Sequence, residues 1–117
     1  QLSLKDFGEA SLRSDKTIPM NAQCTVFAES EVVSLIHSST PKEDIAKAVL
    51  DAVASRVTAM ARRVGIEGDV ALIGGMVHNV GFVQSLKTAL GVDQVLLPEM
   101  PEYVPALGAA LIAAEGK

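Results

Sequence analysis

Through the middle of the chain apolar residues recur at three- and four-residue steps, at Ile45, Val49, Val53, Val57, Met60 and Val64. That spacing places side chains on one face of an α-helix. Ahead of it, Thr40-Pro-Lys-Glu43 supplies a capping hydroxyl, a proline suited to the first helical position and a glutamate three residues after the cap; Gly65 supplies the stop. One long amphipathic helix is predicted, about 35 Å in length at 1.5 Å per residue. Upstream, Ala28 to His37 predicts a shorter helix with Glu29 and Glu31 in its first turn, where acidic side chains suit the positive end of the helix dipole. Ile18 to Met20 with Cys24 to Phe27 predicts a short strand or turn. Residues 1–17 are mostly polar and read as a loosely ordered connector from an upstream segment.

The pattern changes after Gly65. Asp69-Val-Ala-Leu-Ile73 is a nearly unbroken apolar run ended by Gly74-Gly75, which is how a strand buried on both faces reads. A helix follows, with Val83, Leu86 and Leu90 as its buried stripe and Gly91 as its end. Gln94-Val-Leu-Leu97 predicts a second buried strand stopped by Pro98, and Pro105 to Ala114 a closing helix rich in small residues. Alternating strand and helix over this length predicts an α/β architecture, parallel strands covered by helices.

Composition narrows the function classes. The chain has 117 residues, 49% of them hydrophobic and 21% charged, enough for one domain with a core. Ten Lys and Arg against fourteen Asp and Glu give a formal charge of -4, with no basic run to neutralise a row of phosphates, so no nucleic-acid partner is expected. No run approaches the roughly 20 apolar residues that span a bilayer. Together with a single, unpaired cysteine this points to a cytoplasmic setting and no membrane. The chain opens at Gln1 without an initiator methionine, and is expected to be a piece of a longer protein.

Two places could carry chemistry. Gly74-Gly75, directly after a buried strand and before a helix start, would let a ligand lie against bare backbone with a positive dipole end beside it, as a nucleotide phosphate or sugar edge requires. A tight turn with no ligand gives the same two letters, and the segment is neither a Walker loop nor a G-x-G-x-x-G fingerprint. Cys24, just before a helix start, sits where the dipole favours the thiolate, the form that binds metal or attacks an electrophile. By composition alone a lone cysteine is more often an inert, buried apolar thiol, and it is the position at a helix start that shifts the balance. His37 and His78 stand in no zinc spacing and read as surface or capping residues. Glu29 and Glu31, two residues apart, point to different sides of a helix and read as dipole and solubility charges.

The residues Cys24-Thr-Val-Phe-Ala-Glu-Ser-Glu-Val32, Ala54-Ser-Arg-Val57, Leu72-Ile-Gly-Gly-Met-Val-His-Asn79 and Gly108-Ala-Ala-Leu111 resemble, in that order, the ATPase family of 2-hydroxyacyl-CoA dehydratase activators and benzoyl-CoA reductase ATP-binding subunits. The resemblance runs from about Ile18 to the C-terminus. It implies residues 18–117 as the C-terminal lobe of an actin-like, sugar-kinase-like ATPase of ribonuclease H-like fold. It also implies ATP with Mg2+ as cofactor and a [4Fe-4S] cluster shared between two subunits, each giving two thiolates. Electrons would arrive from ferredoxin or flavodoxin and leave for a dehydratase or reductase component. On this resemblance Gly74 and Gly75 contact the adenosine and its phosphates, Asn79 lies near that pocket, and Cys24 is the second of the two cluster cysteines.

The first cluster cysteine, the Asp-x-Gly phosphate loop and the acidic magnesium ligands of the family have no counterpart in this sequence. The chain by itself is therefore expected neither to hydrolyse ATP nor to hold a stable cluster. Two other readings stay open at this point: a lobe of a sugar or acetate kinase-like phosphotransferase, which has no need of Cys24, and a non-catalytic scaffold domain.

Overall fold

The structure, a computed structural model, describes residues 2–21 and 24–116. Five helices make up most of it: α1 (Leu4–Ser11), α2 (Thr25–His37), α3 (Lys42–Val64), α4 (Val80–Leu90) and α5 (Val104–Ala114), with a short 3-10 turn at Gly75–His78 ahead of α4. The core lies where α1 and α4 pack on α3. Leu50 and Ala54 of α3 meet Phe82 and Leu86 of α4, flanked by Phe7, Val57 and Leu72.

Where the sequence suggested a loose lead-in, residues 4–11 form α1. Ser3 caps it: the Asp6 N–H donates to Ser3 Oγ at 3.1 Å, and the Ser3 hydroxyl donates to the Asp6 carboxylate at 2.6 Å. The Ser3 N–H in turn donates to Asp6 Oδ2 at 3.4 Å, completing a capping box that satisfies amides the first turn leaves open. The Ser3 hydroxyl and then the Ser3 N–H, both donating to it, hold the Asp6 carboxyl below its ordinary range. The helix buries Gly8, Ala10 and Ser11, residues too small to show as an apolar stripe. Small residues are what allow its close approach. A Cβ on Gly81 would meet the Gly8 carbonyl oxygen at 2.6 Å and Leu50 Cδ1 at 2.7 Å, and would also strike Ser11 Oγ.

The long helix is present, but it turns a different face inward. Ile45, Ala46, Ala48, Leu50, Ala54 and Thr58 are buried, whereas Val53, Met60 and Val64 of the expected stripe are exposed, Val64 by 90%. Alanines win the inward face because α1 and α4 lie close against it. The expected cap also differs: Pro41 precedes the helix and no side chain caps it. The Pro41 carbonyl accepts from the amides of Asp44 and Ile45, and the carboxylates of the first turn serve the preceding segment instead. Asp44, almost fully buried, accepts from Ser14 Oγ at 2.6 Å and pairs with Lys16 at 3.1 Å. Those bonds hold its carboxyl below the ordinary range. Gly65, at φ 91, ends the helix as expected.

The extended segments are reduced. Among the described residues they pair at one parallel bridge, Ala71 to Leu96, with Leu72 N–H donating to Leu96 O at 2.9 Å and Leu96 N–H to Val70 O at 2.8 Å. The parallel sense matches the expectation; burial on both faces does not, since Ala71, Ile73, Leu96 and Leu97 are exposed. Two strands cannot cover their own faces, and the described residues leave the outer one open. In α4, Leu86 is buried as expected, but its companions are Gly81, Phe82 and Ser85, with Val83 and Leu90 only half-buried.

Candidate functional site

The Gly-Gly turn is held at both ends. Gly74 adopts φ 95, a left-handed backbone that favours glycine, and its N–H is not bare: it donates to the Pro101 carbonyl at 2.8 Å. Gly75 opens the 3-10 turn, so a short turn, rather than α4 itself, follows the strand segment. A Cβ built on either glycine would meet no atom within 4 Å. Gly75 has no positive φ and no close neighbour in this chain, so its missing side chain leaves open room at the surface for something from outside.

Asn79 closes the turn. Its Oδ1 accepts from the Phe82 N–H at 2.9 Å, capping α4, and the same amide lies against Gly8, where a Cβ would come within 2.5 Å of Asn79 Oδ1. The first side-chain bond of α4 is thereby taken by the protein itself, and the expected positive helix start begins at Val80, behind Asn79. His78, read from sequence as a surface or capping residue, is exposed and reaches Glu102, with Nε2 and Oε2 2.9 Å apart. The Glu102 carboxyl is held below its ordinary range by its own backbone N–H and then by His78.

Cys24 is placed as the sequence suggested, directly before a helix, but that helix starts at Thr25, so the short strand expected over Cys24 to Phe27 is absent. The thiol is half-buried and free. The Cys24 carbonyl accepts from Ala28 N–H at 3.0 Å, while its side chain makes no capping bond. With the start moved back, Glu29 falls outside the first turn, and Glu31 has a specific partner: its carboxylate accepts from the Asn21 N–H at 2.7 Å. Ser30, Ser34 and Ser38 satisfy their hydroxyls on the carbonyls four residues back. At the far end Ser39 takes φ 57 and Thr40 N–H returns to Leu35 O, which closes the helix and leaves His37 as an exposed terminal residue.

The two places are separate: α2 packs on α3, whereas the 3-10 turn packs on α4. Among the described residues no group of three or more His, Cys, Asp or Glu could hold a metal ion. Cys24 is one soft donor of the kind iron–sulfur clusters take, and a four-iron cluster takes four. A cleft of about 420 Å3 between α1, α3 and α4 contains Ser11, Lys47, Asp51, Gln84 and Ser85 but not the Gly-Gly turn. Three of its polar groups serve each other, Asp51 bonding to Lys47 at 2.5 Å and to the Ser85 hydroxyl at 2.6 Å, and the Ser11 hydroxyl donates to the Gly8 carbonyl. No helix among the described residues is long and apolar enough to cross a membrane.

Residues 1–113 match the BadF/BadG/BcrA/BcrD ATPase family. The chain is 42% identical over 113 residues to the (R)-2-hydroxyglutaryl-CoA dehydratase activating ATPase of Acidaminococcus fermentans, an alignment covering 97% of this chain and 43% of that protein. It superposes with a TM-score of 0.85 on the activator of the 2-hydroxyisocaproyl-CoA dehydratase from Clostridium difficile with bound ADPNP, at 32% identity, over 98% of this chain and 42% of that one. A benzoyl-CoA reductase subunit of Thauera aromatica is 25% identical over 112 residues, 91% of this chain and 39% of that subunit. The chain thus spans less than half the length of these relatives.

Proposed function

The chain belongs to the BadF/BadG/BcrA/BcrD ATPase family, and from that premise we propose that it is the C-terminal lobe of an ATP-hydrolysing activator that feeds low-potential electrons to a 2-hydroxyacyl-CoA dehydratase. The observation that carries this reading is the 42% identity to an activating ATPase across nearly the whole chain. The dehydratase branch is favoured over the benzoyl-CoA reductase branch because identity to the reductase subunit is 25%. A kinase-like phosphotransferase gives no reason for Cys24 to stand at the start of α2.

In this reading the fold is the C-terminal lobe of an actin-like, ribonuclease H-like ATPase, with α1 packed into it ahead of residues 18–117, and its two extended segments are part of a wider parallel sheet. The upstream remainder of such a protein, and a second subunit, cover the exposed apolar faces of the strand pair, α2 and α5. Mg2+–ATP lies against Gly74 and Gly75, where open space at Gly75 permits close approach, and Asn79 fixes the turn from behind by capping α4. Cys24 supplies one thiolate to a [4Fe-4S] cluster shared between two subunits, and such a cluster supplies one-electron chemistry when bound. The chain by itself has one of the required thiolates and none of the magnesium ligands, so it neither hydrolyses ATP nor holds the cluster without its upstream half. Ferredoxin or flavodoxin is the electron donor and the dehydratase component the acceptor, in a cytoplasmic, reducing setting.

The test is anaerobic reconstitution of the full-length protein. Roughly two irons per subunit, as one four-iron cluster per dimer requires, ATP hydrolysis, and ATP-dependent reduction of a dehydratase component are expected. Cys24→Ser should abolish the iron chromophore and retain nucleotide binding. Intact nucleotide binding with no iron would overturn the reading in favour of a phosphotransferase.

A further inference from the structure

We propose that His78 and Glu102 are positioning residues that set the nucleotide affinity of the Gly74-Gly75 turn by clasping it to the segment leading into α5. The proposal rests on the nucleotide reading above and deepens it. The turn has two anchors, and both lie on consecutive residues of one distant segment. At its start, the Gly74 N–H donates to Pro101 O at 2.8 Å; at its end, His78 Nε2 meets Glu102 Oε2 at 2.9 Å. Between them Gly75 to Val77 arch over one 3-10 turn, with the Val77 N–H returning to Gly74 O and the Asn79 N–H to Met76 O.

The receiving segment is stiff. Pro98 and Pro101 fix their own φ angles, Pro101 is buried, and the Tyr103 N–H closes a turn on Met100 O. Glu102 is held in place and charged, because its carboxylate also accepts from its own backbone N–H. The clasp thus joins a turn with room for a ligand at Gly75 to a fixed support, across 24 residues of chain that return through the second extended segment. A flexible turn would lose conformational freedom on binding a nucleotide; a clasped turn has lost it beforehand. The pair itself is solvent-exposed, with side-chain exposures of 62% and 39%, so its effect is small and independent of the core.

The experiment is a double-mutant cycle on the full-length protein, reading the Mg2+–ATP dissociation constant by calorimetry and the nucleotide-free thermal midpoint in parallel. His78→Ala and Glu102→Ala should each weaken ATP binding about threefold, the range of an exposed pair, with the double variant no weaker than either single one. His78→Gln, which keeps a hydrogen-bond donor opposite Glu102, should restore most of the affinity. The nucleotide-free midpoint should stay put in all four. Unchanged affinity in the single variants overturns the clasp, as do additive losses, which would mean that His78 touches the nucleotide independently of Glu102. Absence of ATP binding in the unaltered protein overturns the nucleotide reading itself.

Discussion

α4 and α5 have the same length, eleven residues, and both are apolar, yet α4 buries Gly81, Phe82, Ser85 and Leu86 while α5 buries nothing. α5 is the more apolar of the two by sequence, with Leu107, Leu111 and Ile112 all more than half exposed. The difference lies in what each helix has to lock into. In α4, Gly81 lets α1 approach to contact distance, the Ser85 hydroxyl binds Asp51 of α3, and Asn79 caps the first turn. In α5, no side chain caps the start, and Gly108 has no atom within 4 Å of where its Cβ would be. Apolar content decides that a helix needs a neighbour; complementary shape and paired polar groups decide which neighbour it has.

That contrast can be broken from the packed side first. Leu86→Ala removes the most deeply buried large side chain of the core and should lower stability by about 3 kcal/mol, read as a drop in the urea midpoint. Gly81→Ala pushes α1 and Leu50 of α3 away from α4 and should lose about 2 kcal/mol through overpacking, visible in the same titration. Asn79→Ala, which strips the cap from α4, should lose about 1 kcal/mol. Acid titration sharpens the same side. Asp44 is held below its ordinary range by Ser14 and Lys16, so its contribution is complete above the unfolded carboxylate range and disappears as pH falls through the lowered folded value. A thermal melt series from pH 7 to pH 3 should show that loss, and Asp44→Asn should flatten it. On the unpacked side, Leu111→Ser should change the stability read from the urea titration by less than about 0.5 kcal/mol; a loss as large as that of Leu86→Ala would show that α5 is packed on the core after all.

Much of this organisation was legible in the letters. The helices expected over 28–37, between the Thr40 cap and Gly65, up to Gly91 and over 105–114 are present as α2, α3, α4 and α5, α2 beginning three residues earlier, and the parallel sense of the two extended segments follows from their alternation with helices. α1 escaped because its buried residues are Gly8, Ala10 and Ser11, which make no apolar stripe; its one readable signal was Ser3 with Asp6 three residues on. The inward face of α3 escaped for the same reason, since alanines beat valines where helices lie close. At the candidate site, the helix start at Cys24 and the glycine turn could be read locally. The His78–Glu102 pair could not, because 24 residues separate the partners and only the folded chain puts them side by side.

Gly108 has a kinetic consequence. Glycine in a helix interior costs about 1 kcal/mol relative to alanine, and in α5 no buried side chain offsets it. The amides of 106–114 therefore open by local unraveling, far below the free energy needed to unfold α3 and α4. In hydrogen exchange they would take up deuterium early in the isolated chain and slowly wherever a neighbour sits on α5. Deuterium uptake at this one helix becomes a timer for docking, readable without any knowledge of what docks.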